Sequence, residues 1–332
     1  MGSSAIAPLP FETLPAPQHR RRTGTWLVVG GISLMIVGLF APTFGVYMPV
    51  DFDPGSTAPV DPFVFLAFTI PGLIGFFFGA KLIGWGRRMR ALPAVERLQE
   101  DSRLPVLFLR SFEDDDLVDP TPRMIPMGDF FPRRYEESLC GTLERVGPMI
   151  TIGRPGNRLS MLGGARLFVP DHAWRQAVEH LRRHSAAVVL MIGRTEGLWW
   201  EVTSSIPAVS QDRLLFFFPY VEESVRRRSV WQRVFYYKPA QMPFAKKAFE
   251  RMEQERQARY LMFRERVQPL LSAQLPETLG NSQFIDFDPK GQLRTLPTIR
   301  PWWARIWFFT PSLFRMVIDV RLTLRPFVAK LT

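Results

Sequence analysis

The sequence predicts an α/β protein in which two N-terminal transmembrane helices precede a doubly wound sheet of parallel strands. Two long apolar runs without acidic or basic residues lie within the first 80 residues. After residue 100, short apolar runs alternate with amphipathic stretches, which is the pattern of parallel strands connected by helices. A chain of 332 residues, 46% of them hydrophobic, is long enough for such a domain and an anchor.

The anchor is predicted at residues 23–90. Its first apolar run covers 23–50, and about 20 apolar residues are enough to cross a bilayer. The second covers 62–80 and contains Pro71 and several glycines, which a helix in lipid tolerates. A signal peptide is one alternative for the first run, but that run is long and lacks a clear cleavage site. A pair of buried helices in a soluble protein is the other alternative.

The charges beside these runs predict the orientation of the anchor. Arginines at 20–22 precede the first run and an arginine cluster at 87–90 follows the second, whereas the loop between the runs contains Asp51, Asp53 and Asp61 and no basic residue. The positive-inside rule then predicts a multi-pass protein of the cell (inner) membrane with both termini in the cytoplasm. Residues 1–22 are rich in proline and small residues and are predicted to be a disordered tail.

Residues 100–222 are predicted to form the α/β domain, and residues 223–288 a basic aromatic linker, a long helix and a late strand. Buried strands are expected at 104–109, 148–152, 186–192, 214–220 and 284–287. Helices are expected at 135–146, at 171–184 with Asp171 as the N-cap, from about Gly197, and at 244–271.

The C-terminal tail, residues 289–332, is basic and aromatic. Eight bases and one acid from Lys290 onward are interleaved with tryptophan and phenylalanine, a composition typical of the lipid headgroup layer. Contact with anionic headgroups is therefore expected, with packing against the domain as the alternative. The alternation from Phe314 to Leu324 favours a strand, and an interfacial helix stays open. The net charge of +11 requires an acidic counterpart, for which lipid is favoured over nucleic acid.

The strongest candidate for chemistry is the segment from Gly193 to Val202, directly after the most apolar predicted strand. A carboxylate early in the following helix would lie at the carboxyl edge of the sheet, beside two indoles that reduce its contact with water. It could stabilise the oxocarbenium-like cation that forms when an N-glycosidic bond breaks. Arg110, Arg154 and Arg194 follow strands and could neutralise the phosphates of a nucleotide. In the alternative without a ligand, the acid only stabilises the helix N-terminus and the arginines are solvated at the surface.

The motifs LFLRSFEDD, ITIGRPG, GGARLFVP, AAVVLMIGRT and GLWWEV, within residues 104–221, together resemble those of membrane-tethered bacterial TIR-like domains. The resemblance implies a flavodoxin-like fold related to nucleoside deoxyribosyltransferases, with a role in signalling or bacterial defence. It implies Glu201 as the catalytic residue and NAD as a substrate. The residues themselves predict neither a cofactor nor a metal. The predicted nucleotide-binding residues are Arg110, Ser111, Arg154, Arg194 and Trp200.

The same resemblance also implies a second kind of function, because TIR-like domains include adaptors as well as enzymes. The loop from Ile152 to Gly156 resembles the one that such domains use in self-association and substrate entry. Trp199 and Trp200 stand where a small or thiol residue is usual before the glutamate. The alternative prediction is therefore a non-catalytic membrane adaptor or sensor that forms homo-oligomers through this domain. An open pocket at Glu201 would favour the enzyme, and tryptophans filling that space would favour the adaptor.

A single cysteine, Cys140, excludes an internal disulfide framework and fits a reducing compartment. It also excludes a thiolate metal cluster within one chain. The sequence contains no phosphate-binding GxxxxGK[ST] loop, which argues against a nucleotide-hydrolysing motor.

Overall fold

The computed structural model describes residues 9–15, 21–47, 62–110, 135–153, 163–219, 242–300 and 319–332. They belong to two compact units. The hairpin unit contains the two long N-terminal helices. The globular unit contains the described residues from 92 onward, together with residues 9–15.

Helices α1 (Arg21–Tyr47) and α2 (Pro62–Met89) form the hairpin unit. Their apolar parts, Arg21–Thr43 and Phe63–Met89, are long enough and apolar enough to cross a membrane. Within the most apolar stretch of each helix, only 22% in α1 and 17% in α2 is buried. The exposed surface is therefore itself apolar, as at Trp26 (75% exposed) and Phe63 (80% exposed). Such a surface differs from that of a core helix in a soluble protein, which is mostly buried.

Three pairs of glycines set the distance between α1 and α2. The pairs are Gly24 with Gly86, Gly31 with Gly79, and Gly38 with Gly72. On each helix these glycines recur every seven residues, so they stay on one face of the helix. A Cβ atom at Gly31 would lie 2.6 Å from the carbonyl oxygen of Gly79, a distance that no side chain tolerates. The glycines thus permit the close backbone contact that packs helices together in lipid.

The globular unit is built on a seven-stranded sheet with the order β3-β2-β1-β4-β5-β6-β7. The strands are β1 (Val106–Leu109), β2 (Met149–Gly153), β3 (Ala165–Phe168), β4 (Ala187–Met191), β5 (Leu214–Phe217), β6 (Phe284–Phe287) and β7 (Leu293–Leu296). Strands β1 to β5 are parallel, and β6 and β7 are antiparallel to their neighbours. The chain leaves β1 toward β3 and returns on the other side at β4. The carboxyl ends of β1 and β4 therefore form the switch point at which such sheets bind ligands.

Helices cover both faces of the sheet, which confirms the predicted α/β class with a mostly parallel sheet. They are α3 (Ala94–Glu100), α4 (Tyr135–Leu143), α5 (Trp174–Arg183), α6 (Glu196–Ser205), α7 (Met242–Val267), α8 (Val320–Thr323) and α9 (Arg325–Leu331). Side chains of α3, α5, α6 and α7 share one apolar core with the sheet. Side chains of α4, α8 and α9 share the core on the opposite face. The short 3₁₀ turns Gln211–Arg213 and Gln268–Leu270 precede β5 and follow α7.

The structure corrects two local predictions. Residue Ala173, rather than Asp171, occupies the N-cap position of α5, because residues 171–173 form a separate turn. Of the two conformations left open for the tail, Val320–Thr323 adopts the helix and not the favoured strand, because the buried residues Val320, Leu324, Phe327 and Val328 follow the period of a helix. The described end of the tail thus packs against the sheet, and residues 301–318 lie outside the described residues.

Residues 9–15 contact the globular unit, although the sequence predicts disorder there. Phe11 is 9% exposed and joins the apolar core that also contains residues of α5. Composition is a poor guide to this segment, because one aromatic side chain and two hydrogen bonds hold it.

Candidate functional site

Glu201 lies on the second turn of α6, which begins soon after β4 at the switch point of the sheet. Thr195 caps this helix: its side-chain oxygen accepts a hydrogen bond from the backbone N–H of Leu198 at 3.4 Å. Leu198 and Val202 point into the apolar core, and this anchors α6 against the sheet. The side chain of Glu201 is directed toward Trp174 on the first turn of α5.

The environment of the Glu201 carboxyl group is apolar. Glu201 is 5% exposed, and Trp174 donates a hydrogen bond from Nε1 to Oε1 at 3.1 Å. The other oxygen, Oε2, is buried and has no hydrogen-bond partner in the described part of the chain. Burial raises the pKa of Glu201 to about 8, and the hydrogen bond from Trp174 opposes part of that shift. At pH 7 the group is therefore mostly a neutral carboxylic acid.

Indole rings occupy the space next to this carboxyl group. The rings of Trp174 and Trp200 pack with their centroids 5.0 Å apart, and the guanidinium of Arg175 lies 5.2 Å from the Trp200 ring centre. Trp199 is 8% exposed and carries the guanidinium of Arg266 over its ring at 4.6 Å. The two tryptophans that precede Glu201 are thus each packed against protein groups, Trp199 against Arg266 and Trp200 against Trp174 and Arg175.

The structure brings together only part of the predicted nucleotide-binding set. Trp200 and Glu201 are neighbours beside α5, whereas Arg110 lies on the other face of the sheet with Glu136 of α4. Arg194 is exposed in the turn before α6. Ser111 and Arg154 lie outside the described residues. Arg110 therefore does not complete a phosphate site with Glu201 in the described structure.

Sequence reasoning missed a buried ion cluster on the α4 side of the sheet. The Nη1 atom of Arg110 lies 3.4 Å from Oε2 of Glu136, and Nη2 of Arg166 lies 3.9 Å from the same oxygen. Their side chains are 3%, 9% and 1% exposed for Arg110, Glu136 and Arg166. Gly163 has a φ of +127°, and a Cβ atom there would lie 2.6 Å from Cγ of Glu136. Glycine at 163 is therefore required both for that conformation and for the room Glu136 needs.

The cluster connects α4 to the residue that follows β1 and to the second residue of β3. No local pattern in the sequence pairs these three residues, because they are separated by loops and meet only when the sheet forms. A hint was available in Arg166, a charged residue within a short apolar strand. A charge at such a place requires a buried partner.

Comparison with known proteins finds no matching family, no similar curated protein and no similar solved structure. Within the described residues, no three His, Cys, Asp or Glu side chains are grouped so as to hold a metal ion. The α/β class rests on the sheet itself, and the TIR-like assignment stays a prediction.

Proposed function

We propose that the chain is a membrane-anchored adaptor whose globular unit acts by binding other copies of the same chain. The observation that carries this proposal is the packing at Glu201, whose carboxyl group is buried and hydrogen-bonded to Trp174, which in turn packs against Trp200. An enzyme of this class requires an accessible carboxylate, whereas Glu201 is 5% exposed and hydrogen-bonded to a tryptophan. A buried acid of this kind contributes to the packing of α6 against α5 through its hydrogen bond with Trp174.

The hairpin unit supports the membrane part of the proposal. Its outer surface carries apolar side chains such as Ile36, Phe40, Ile74 and Phe78, each more than half exposed. Burial in lipid is the simplest way to remove such a surface from water. Loss of the full-length chain from the membrane fraction would contradict this part.

The charge pattern supports a cytoplasmic location for both termini, and one contact supports their lying on the same side of the membrane. The basic residues flank the hairpin on the side away from the acidic loop. Residues 9–15, which precede α1, contact the globular unit, which follows α2. This contact is compatible with two crossings, which would leave both segments on one side of the membrane. Labelling of a Ser56→Cys variant, but not of a Thr13→Cys variant, by an impermeant maleimide on intact cells is expected.

The strand order is compatible with the TIR-like part of the proposal. If β3 is set aside as an addition at the edge, the remaining parallel strands run β2-β1-β4-β5. This is the flavodoxin-like order, in which the second strand lies outside the first. The likeness concerns the fold class and gives no information on chemistry.

Association between copies is the direct test of an adaptor. Full-length chains labelled with donor and acceptor dyes are reconstituted in liposomes at increasing surface density, and energy transfer is measured. An adaptor predicts transfer that exceeds the value for random proximity and saturates with density. Transfer equal to the random value at every density would contradict the proposal.

A second function, cleavage of the N-glycosidic bond of NAD, is favoured by one observation. Glu201 has a buried oxygen without a hydrogen-bond partner in the described part of the chain, and its pKa is raised to about 8. Perturbed carboxyl groups at switch points are typical of catalytic sites. Stabilising an oxocarbenium-like cation needs the anionic form, so the rate would rise with pH up to about 8.

The NAD hypothesis is tested by measuring nicotinamide release from clustered, full-length protein. Glu201→Gln would abolish release, whereas Glu196→Gln, which changes an exposed acid on the same helix, would leave it intact. The adaptor proposal predicts no release from any of the three proteins. Nicotinamide release that depends on Glu201 would contradict the adaptor proposal and support the enzyme.

A further inference from the structure

Helices α8 and α9 are attached to the sheet by their inner side. Their buried residues belong to the core on the α4 side of the sheet and are Val320, Leu324, Phe327 and Val328. Near the end of α9, Nζ of Lys330 lies 3.2 Å from Oδ2 of the buried Asp286 and donates a hydrogen bond to the carbonyl oxygen of Phe287 at 2.6 Å. The two helices are therefore a fixed part of the globular unit, and one side of them is turned outward.

The outward side of α8 and α9 combines positive charge with apolar surface. Arg321, Leu322 and Arg325 are exposed there, and neither helix contains an acidic residue. Ile299 is joined to α8 by a hydrogen bond from its backbone N–H to Oγ1 of Thr323 at 3.1 Å. Leu322 is 44% exposed and Ile299 is 39% exposed. Arginines beside apolar side chains are typical of surfaces that contact the headgroup layer of a membrane, and these four exposed residues are called the basic face below.

The opposite side of the globular unit has no such excess of positive charge. Within residues 250–267 of α7, the exposed charged residues are two acids and two bases, Glu250, Glu265, Arg251 and Arg266. On the basic face, the two arginines are accompanied by one half-buried acid, Asp319, which caps α8 by accepting a hydrogen bond from the backbone N–H of Leu322 at 3.0 Å. Leu261 of α7 is 49% exposed, close to the value for Leu322. The two sides thus expose similar leucines and differ in charge.

The connection to the anchor keeps the globular unit near the bilayer. Residues 90–93 join α2, which ends at Met89, to α3, which begins at Ala94. Four extended residues span at most about 14 Å. The cytoplasmic leaflet, beside which this unit is proposed to lie, carries anionic lipids that attract basic residues within a short distance. Lipid headgroups are thus an acidic counterpart within reach of the basic face.

We propose that the basic face binds the anionic headgroups of the membrane that holds the anchor, and so sets the orientation of the globular unit on the bilayer. Arg321 and Arg325 contact lipid phosphates, and Leu322 enters the headgroup layer. This inference rests on the membrane part of the proposed function and does not require association between copies. The two alternatives for the C-terminal tail, lipid contact and packing against the domain, then apply to opposite sides of the same helices.

The test measures how closely each side of the globular unit approaches lipid in liposomes that contain the full-length chain. A fluorescent maleimide is attached to a Leu322→Cys variant, or to a Leu261→Cys variant as the matched control on the opposite side of the sheet. Cys140 is buried, and burial raises the pKa of its thiol, so the dye reacts with the introduced cysteine. Quenching by lipids with a nitroxide on the headgroup is compared between neutral phosphatidylcholine and its mixture with anionic phosphatidylglycerol.

In the anionic liposomes we expect strong quenching at position 322 and weak quenching at position 261. Each arginine near an anionic surface strengthens binding about five-fold, so the Arg321→Gln/Arg325→Gln variant should lower the ratio of docked to undocked molecules about 25-fold. Arg321→Lys/Arg325→Lys keeps both charges and should quench like the parent protein. Neutral lipid or high salt should act in the same direction as the glutamine variant.

Two results would overturn the inference. One is quenching at position 322 that does not exceed quenching at position 261, and the other is quenching at position 322 that is independent of the lipid charge or of the two arginines. In both cases, chain that floats with the liposomes and resists alkaline extraction would leave the membrane anchor standing. Chain that does not float with the liposomes would contradict the anchor, and the inference with it.

Discussion

Two glutamates of the globular unit are equally buried but are stabilised in opposite ways. Glu136 is 8% exposed and faces the guanidinium groups of Arg110 and Arg166. Glu201 is 5% exposed and accepts a hydrogen bond from the indole of Trp174, and its pKa is raised to about 8 by burial. A buried carboxyl group is stabilised either by cations or by a proton, and this chain uses one solution on each face of the sheet.

The position of a glutamate on its helix does not by itself reveal what the glutamate does. Both glutamates lie in the first two turns of helices that pack on the sheet. The sequence predicts that Arg110 binds a ligand near Glu201, but in the structure Arg110 forms an ion pair with Glu136. The residues that surround the acid decide its chemistry, and they come from distant parts of the chain.

The largest expected effect comes from removing the charge at Glu136. Glu136→Gln takes away the carboxylate that both buried guanidiniums face, so we expect the free energy of unfolding to fall by about 3–5 kcal/mol. Denaturation of the full-length chain in detergent micelles measures it. Glu144→Gln is the control, since the Glu144–Arg97 pair is partly exposed and should contribute less than about 1 kcal/mol. Equal effects of the two changes would contradict the buried cluster.

The second effect is a dependence of stability on pH that comes from Glu201. The pKa of its side chain is raised from 4.5 to about 8 on folding, so the folded chain keeps a proton that the unfolded chain releases. This contribution to stability is complete below pH 4.5 and is lost as the pH rises toward 8. The loss amounts to roughly 1 kcal/mol per pH unit.

Glu201→Gln removes this pH dependence of stability. It keeps the shape of the side chain and an oxygen that can accept the hydrogen bond from Trp174. The variant should equal wild type near pH 5 and become more stable than wild type as the pH approaches 8. Unfolding midpoints across that range measure the difference. Parallel curves for the two proteins would show that Glu201 does not change its protonation on folding.

The smallest effect is that of the indole hydrogen bond. Trp174→Phe removes the N–H that donates to Glu201 and keeps an aromatic ring, so the pKa of Glu201 should rise further. The free energy of unfolding should fall by about 1 kcal/mol. Trp200→Phe, which removes an indole that packs on Trp174, should leave the pKa of Glu201 nearly unchanged. A similar pKa shift in both variants would assign the effect to packing instead.

Where burial and periodicity are uniform along the chain, the sequence predicts the fold well. The charge-free runs predicted both helices of the hairpin. The apolar run from Ala186 to Ile192 predicted strand β4 to within one residue at each end. Parallel strands at the centre of a sheet are buried on both faces, so they are apolar throughout and easy to recognise.

Features that depend on distant contacts could not be predicted. Strand β3 contains Arg166, and its charge is understood only beside Glu136, 30 positions earlier in the chain. The seven-residue spacing of the glycines was visible in the sequence, but the pairing of Gly31 with Gly79 needed the hairpin. Residues 9–15 have the composition of a disordered tail, and only the site that receives Phe11 gives them an ordered place.

The most direct measurement is the protonation state of Glu201, taken from the infrared difference spectrum of wild type and Glu201→Gln in the full-length chain. A closed, neutral Glu201 predicts a carboxylic acid band in wild type at pH 7 that fades as the pH passes about 8. A carboxylate band at pH 7, with titration near the ordinary value of 4.5, would contradict this result. It would show that water reaches Glu201 and that the closed packing on which the adaptor proposal rests is absent.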